Sequence, residues 1–208
     1  MEAEPNDATP FLPERRNLKA LREAATGCRG CHLWRGATQT VFGEGRRSSR
    51  VMLVGEQPGD REDRAGEPFV GPAGRELDRG LDSAGIARAD AYVTNVVKHF
   101  KFEERGRRRI HQTPKRFEID ACKPWLEEEL SVVKPEALVL LGATAAKALL
   151  GSSFKVTQHR GELLDSDLAP IVTATIHPSA ILRGPDDATR QQEREAFAAD
   201  LRAVAQAL

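Results

Sequence analysis

Cysteine is scarce in this sequence, net charge is absent, and long apolar runs are missing. Three cysteines among 208 residues cannot form a framework in which every thiol is paired within the chain. Lys and Arg number 31, and so do Asp and Glu. Net charge therefore does not point to nucleic acid, and only an uneven distribution of charge could. No apolar stretch is long enough to span a membrane, and the polar N-terminus lacks the core of a signal peptide. The expectation is a cytoplasmic, reducing location with no membrane partner. The length suits one domain with a full core. Residues 1–16, rich in Pro, Glu, Asp and Asn over Met1–Pro13, are expected as a disordered lead-in to a single domain at 17–208. There is no internal repeat.

The strongest signal is Val51-Met52-Leu53-Val54 running into Gly55-Glu56-Gln57-Pro58-Gly59. A continuous apolar run that ends in a glycine-rich turn reads as a buried parallel strand. Three more strands are expected at Ala91–Val97, Glu136–Leu141 and Pro170–Ile176. Helices are expected at Asn17–Thr26, Gly71–Gly85, Phe117–Val133, Ala143–Leu150 and Ala188–Leu208. Lys101–Arg116 has no apolar period and reads as a loop. Alternating strands and helices imply an α/β fold, a three-layer α/β/α sandwich around a four-stranded, mainly parallel central sheet. In such sheets ligands bind at the carboxyl ends of the strands. Glu56 and Gln57, Asn95, Gly142 and His177 all fall at those ends. This convergence favours a functional Glu56 over a solvated turn residue.

Cys28-x-x-Cys31 precedes the first strand, which disfavours a thioredoxin-like pair. Attachment of a c-type haem would need export. A metal site with Cys122 as third ligand fits better, and a histidine is the natural candidate for the fourth: His99, in preference to His32, which would have to bend back beside its neighbour. Zinc and an iron–sulfur cluster both fit such a set. The segment Lys101–Arg116 carries seven cations against two carboxylates, which suits phosphate contacts. A solvated loop is the plain alternative. From spacing alone, His111 within Arg107-Arg108-Arg109-Ile110-His111 is only a weak candidate.

Taken as an ordered set, these motifs resemble the uracil-DNA glycosylase superfamily, specifically its iron–sulfur family 4. The matching stretches are Val41-Phe42-Gly43-Glu44-Gly45, Gly55-Glu56-Gln57-Pro58-Gly59, Glu62-Asp63, Gly66-Glu67-Pro68-Phe69-Val70-Gly71, Thr94-Asn95-Val96-Val97-Lys98, Leu141-Gly142, Arg160-Gly161 and His177-Pro178-Ser179-Ala180. Three departures from family 4 stand out: Gln57 in place of Ala, Lys98-His99-Phe100 where a Cys and a proline-rich stretch are usual, and the basic segment ending at His111. All three are similar to the UdgX branch, with Arg107 standing where that branch has Lys.

The resemblance implies an uncommon outcome: uracil is excised from DNA, single strands favoured, and the protein stays covalently attached to the resulting sugar. Carried over, His111 is the nucleophile, Glu56 orients or deprotonates it, and His177 donates to the departing base. Uracil binding falls to Phe69, Asn95, His177 and Gln57, with the loop or a phosphate as the open alternatives for Gln57. DNA contacts fall to Arg107, Arg108, Arg109 and Ser179. A 4Fe-4S cluster on Cys28, Cys31, His99 and Cys122 is implied, with a structural role. Free uracil is the expected product and a monomer the expected state. Two other readings stay open: a turnover-competent family 4 glycosylase, and a non-catalytic iron–sulfur nucleic-acid-binding module.

Overall fold

The chain alternates strand and helix in the order the sequence predicts, and the computed structural model describes residues 6–208. The first helix, α1 (Leu18–Ala25), is capped by the Asn17 side chain, which accepts from the Ala20 amide. Strand β1 (Val51–Gly55) is buried throughout. It is followed by a short helix that the sequence reading did not anticipate, α2 (Asp60–Ala65), and by α3 (Pro72–Ala84), which Gly85 ends in the left-handed conformation. Next come β2 (Ala91–Asn95), the short strands β3 (Phe102–Arg105) and β4 (Arg108–His111), α4 (Arg116–Val133) and β5 (Ala137–Leu141). Then follow α5 (Ala143–Leu150), α6 (Val156–His159), β6 (Leu163–Leu164), β7 (Ile171–Thr175), α7 (Pro178–Leu182) and α8 (Asp187–Ala207).

The central sheet has five strands in the order β2-β1-β5-β7-β6, one more than expected. The extra strand, β6, is two residues long and pairs antiparallel with β7 at the edge. So short a strand gives no period-2 signal in a sequence. The other four strands are parallel. Their side chains alternate between two cores. Met52, Val54, Tyr92, Leu138 and Leu140 meet Leu21, Trp125, Leu126 and Ala146 of α1, α4 and α5. Val51, Leu53, Val93, Val139 and Leu141 meet Leu77, Leu81, Ile181, Phe197 and Leu201 of α3, α7 and α8. This gives the three layers. Among the described residues no helix is long and apolar enough to cross a membrane.

Two expectations need correction here. Residues 1–5 of the expected lead-in lie outside the described residues, but 6–16 are not a free tail. Ala8 is fully buried, and its amide donates to the Ala121 carbonyl at 2.8 Å, docking the segment on α4. Lys101–Arg116 is likewise not a plain loop. It contains the β3–β4 hairpin, in which Phe102 stands opposite His111 and Arg105 opposite Arg108. Gly106 sits at φ 61, as the first central position of a type II′ turn requires. The hairpin stands away from the central sheet with charged residues on its exposed faces, so it carries no apolar alternation.

Candidate functional site

The site lies at the carboxyl end of the parallel sheet, where β1, β2 and β7 terminate. Glu56 follows directly on β1. One of its carboxylate oxygens, Oε2, accepts a hydrogen bond from the Thr144 hydroxyl at the start of α5. The other, Oε1, lies 3.2 Å from His111 Nε2. Oε1 is buried and receives no hydrogen bond of normal geometry. Burial acts to raise the Glu56 pKa, but the His111 and Thr144 contacts and the nearby His177 outweigh it. The carboxyl is thus held below its usual range. The His111 side chain is half exposed and tilts against Phe100 at 6.2 Å between ring centroids.

The hairpin that carries His111 is tied down at two places. At its base, Gln57 Oε1 accepts the Lys101 amide at 3.0 Å, and Gln57 Nε2 donates to the Lys101 and Gln112 carbonyls at 3.1 and 3.0 Å. Gln57 was expected among the uracil contacts. Its buried amide is instead committed to the loop, which was the alternative left open. Further along, Arg109 donates to Asp60 at 2.5 Å, to Asp63 at 2.6 Å and to the Thr38 hydroxyl at 3.1 Å. Its guanidinium also lies over the rings of Phe100 and Phe102. Arg109 was expected to contact DNA, but its charge is turned inward, to a fully buried Asp63. Arg107 and Arg108 remain exposed at the hairpin tip.

Asn95 and Phe69 meet over Gly55, beside Glu56: a Cβ added at Gly55 would come within 2.4 Å of Asn95 Oδ1 and 2.8 Å of Phe69 Cζ. Glycine is therefore required for the two side chains to meet there. Phe69 adopts φ 58, unusual for a side chain of this size. The strain is held in place by its surroundings: the Gly71 amide donates to the buried Glu62 carboxylate at 2.7 Å, and a Cβ at Gly74 would fall 1.6 Å from the Phe69 carbonyl oxygen. Asn95 is buried. Its main-chain carbonyl accepts from Lys98 Nζ at 2.7 Å, and Lys98 is itself paired with Glu129 at 2.5 Å. Glu129 also accepts from the Tyr92 hydroxyl, the Thr94 hydroxyl and the Gly43 amide. This buried network clamps the end of β2 onto α4, with Tyr92 fully buried in the core.

The His177 ring lies roughly parallel to Phe69, with centroids 6.0 Å apart. The Ser179 amide donates to His177 Nδ1 at 3.2 Å. An amide can only donate, so Nδ1 carries the lone pair and the ring proton of the neutral imidazole is on Nε2. Burial pushes the His177 pKa down to about 4, with Arg183 and His111 acting in the same direction against Glu56. At neutral pH it is thus an uncharged donor. Ser179, expected to contact DNA, orients His177 in this fold, and its hydroxyl also accepts from Arg183 at 3.0 Å.

Cys28 and Cys122 are buried and Cys31 is half-buried. Among the described residues no three His, Cys, Asp or Glu side chains converge on a single ion. The thiols are nevertheless in electrostatic reach of one another. Burial, with contributions from Cys31 and Cys28, pushes Cys122 up to about 12, and burial together with Cys28 and Glu118 raises Cys31. Two thiols already accept N–H donors, Cys28 from Trp125 and Cys122 from the Lys98 amide, each at 3.2 Å. His99 is buried, and burial lowers its pKa to about 4. Thr40 gives its one hydroxyl proton to the Ala25 carbonyl at 2.9 Å, so its contact with His99 Nε2 at 2.9 Å must be donated by the ring. That leaves Nδ1 of His99 as a lone pair, the tautomer a metal ligand needs.

No role is assigned to Thr144, Asp60, Asp63 or Thr40 from the sequence. The acidic pair was visible as an i, i+3 spacing just after Gly59, but its cationic partner is 46 residues away. Nothing local marks Thr144.

Comparison with known proteins agrees with this geometry. The family profile described as the uracil DNA glycosylase superfamily matches residues 42–202. A type-4 uracil-DNA glycosylase of Pyrobaculum aerophilum is 36% identical over 176 residues, spanning 81% of this chain and 86% of that protein. One of Thermotoga maritima is 35% identical over 175 residues, 84% of this chain and 88% of the relative. One of Sulfurisphaera tokodaii is 34% identical over 178 residues, 82% and 78%. The chain belongs to the uracil-DNA glycosylase superfamily.

Proposed function

We propose that this protein excises uracil from DNA and then joins itself to the resulting sugar through His111. The observation that supports this most directly is the placement of His111 Nε2 at 3.2 Å from a buried, undonated oxygen of Glu56, on a hairpin pinned by Gln57 and Arg109. A base paired inside a duplex cannot reach Phe69 and Asn95, so the target is flipped out or lies in single-stranded DNA, which is favoured. Phe69 stacks on the pyrimidine. The amide of Asn95 both donates and accepts, as the imide edge of uracil requires. When the bond from C1′ to N1 of uracil breaks, the electron pair leaves with the base, and His177 Nε2–H donates to a uracil carbonyl as charge builds there. Preorganised donors of this kind contribute about 3–4 kcal/mol. The sugar left behind has oxocarbenium character, and the anionic Glu56 stabilises it. The His111 imidazole contributes its lone pair to C1′, the resulting imidazolium passes its remaining N–H proton through solvent to the uracil anion, and free uracil departs.

The four residues Cys28, Cys31, His99 and Cys122 would hold a 4Fe-4S cluster. Three thiols within electrostatic reach of one another and the lone pair on His99 Nδ1 suit it, and a cluster spreads its ligands wider than a single ion does. When bound it supplies a cross-link among the loop before β1, the segment after β2, and α4.

The test is a denaturing gel of the protein mixed with a short single-stranded DNA carrying one uracil. A heat- and detergent-stable shifted band, absent with His111→Ala and with uracil-free DNA, is the expected result. A band that persists in His111→Ala refutes the nucleophile assignment. An alkali-labile abasic site without a band makes the protein a turnover glycosylase, and neither product leaves only DNA binding.

A further inference from the structure

We propose that Thr144 is a positioning residue for Glu56: its hydroxyl holds the carboxylate in the rotation that presents Oε1 to His111. The inference rests on the reading of His111 as the trapping nucleophile. The terminal torsion of a glutamate is broad and nearly two-fold, so a carboxylate with no firm donor samples many rotations. The hydrogen bond that fixes Glu56 comes from Thr144 Oγ1 to Oε2, while Oε1 has none. Without the hydroxyl, the carboxylate is free to turn Oε1 toward solvent, where water would satisfy it. The donor itself is well placed. Threonine is β-branched and stiff at χ1. It lies just past Gly142, whose φ of 90 brings the chain so close to His177 that a Cβ would meet the His177 Cβ at 3.0 Å. The Gly142 amide donates to the Thr175 carbonyl at 2.9 Å, which locks the turn to the end of β7. One short segment, Gly142–Thr144, thereby sets Glu56 and His177 relative to each other, the groups that act on the two sides of the bond to be broken.

The titratable groups facing Glu56 are His111 from β4 and His177 after β7, and Thr144 adds a neutral donor from α5. Removing that donor leaves the anionic carboxylate less favoured, so the acid limb of any step that needs it anionic moves to higher pH.

The experiment compares wild type, Thr144→Val and Thr144→Ser as full chains with matched urea midpoints. It follows adduct formation and uracil release on single-stranded uracil DNA from pH 5 to 9. Thr144→Val is expected to form adduct about tenfold more slowly, the scale of one hydrogen bond to a charged group, with its acid limb displaced upward. Thr144→Ser, which keeps the hydroxyl, is expected to restore both. Wild-type rate and pH profile in Thr144→Val, or a Thr144→Ser as impaired as Thr144→Val, overturns the proposal. If wild type releases uracil without forming adduct, the trapping reading has failed by itself. The same comparison on uracil release then decides the role of Thr144, an unshifted Thr144→Val profile overturning it. Should Thr144→Val unfold, Thr144→Ala with the Ser control takes its place.

Discussion

Arg109→Ala removes the charge that ties the His111 hairpin to the body of the protein. The guanidinium is 13% exposed and sits between Asp60 and Asp63. Removing one partner of a buried ion pair costs about 3–5 kcal/mol when nothing else compensates. Here two things do. Asp63 keeps the Thr38 amide on both oxygens, at 3.0 and 3.1 Å, and Asp60 is 40% exposed and still has Arg64. Loss of the guanidinium over Phe100 and Phe102 acts the other way, at about 0.5–1 kcal/mol per ring. The net expectation is about 3 kcal/mol lost in urea denaturation. Adduct formation should slow further than that loss explains, measured well below the unfolding range, because His111 is no longer held at Glu56. Arg109→Lys should recover little, since an ammonium cannot bridge two carboxylates as a planar fork does. Arg108→Ala is the control: it should stay within about 0.5 kcal/mol of wild type and weaken DNA binding in a salt-dependent way. An Arg109→Ala protein with wild-type stability and rate, or an Arg108→Ala protein equally destabilised, refutes the latch.

Two further outcomes are expected. Purified protein should be brown and contain iron, and His99→Ala should retain less of it after gel filtration; a colourless, zinc-loaded wild type defeats the cluster. Burial pushes the His177 pKa down to about 4 from the ordinary histidine value of about 6.5, so the unfolded chain takes up the proton first. Its stabilising contribution is therefore complete above about pH 6.5 and drains away as pH falls toward 4, amounting to at most about 2 kcal/mol lost by pH 5. The difference in urea midpoint between pH 7 and pH 5 should shrink in His177→Asn, and an unchanged difference refutes the assignment.

The parallel strands were legible because they are buried on both faces, which demands the unbroken apolar runs of Val51–Val54 and Ala137–Leu141. The helices were legible from their spacing and their glycine stops, as at Gly85 and Gly151. The chemistry-bearing ends of the strands followed from topology alone: a parallel sheet must deliver Glu56, Asn95 and His177 to one edge. The paired hairpin was not legible, because a ribbon wet on its exposed faces needs no apolar alternation. Nor was the allocation of its charges. Arg107, Arg108 and Arg109 are one residue type in one run, yet strand alternation and the distant Asp60 and Asp63 turn the third inward, where it becomes a structural ion. Gln57 was similarly ambiguous, since an amide serves a backbone or a ligand equally well until the backbone that comes near it is known. The proton on His177 Nε2 and the rotation of Glu56 depend on single hydrogen bonds from Ser179 and Thr144. Residue types and their order determined which groups reach the site. Which of them face the substrate and which hold the others in place was decided by contacts between segments far apart in sequence, made only when the chain closes on itself.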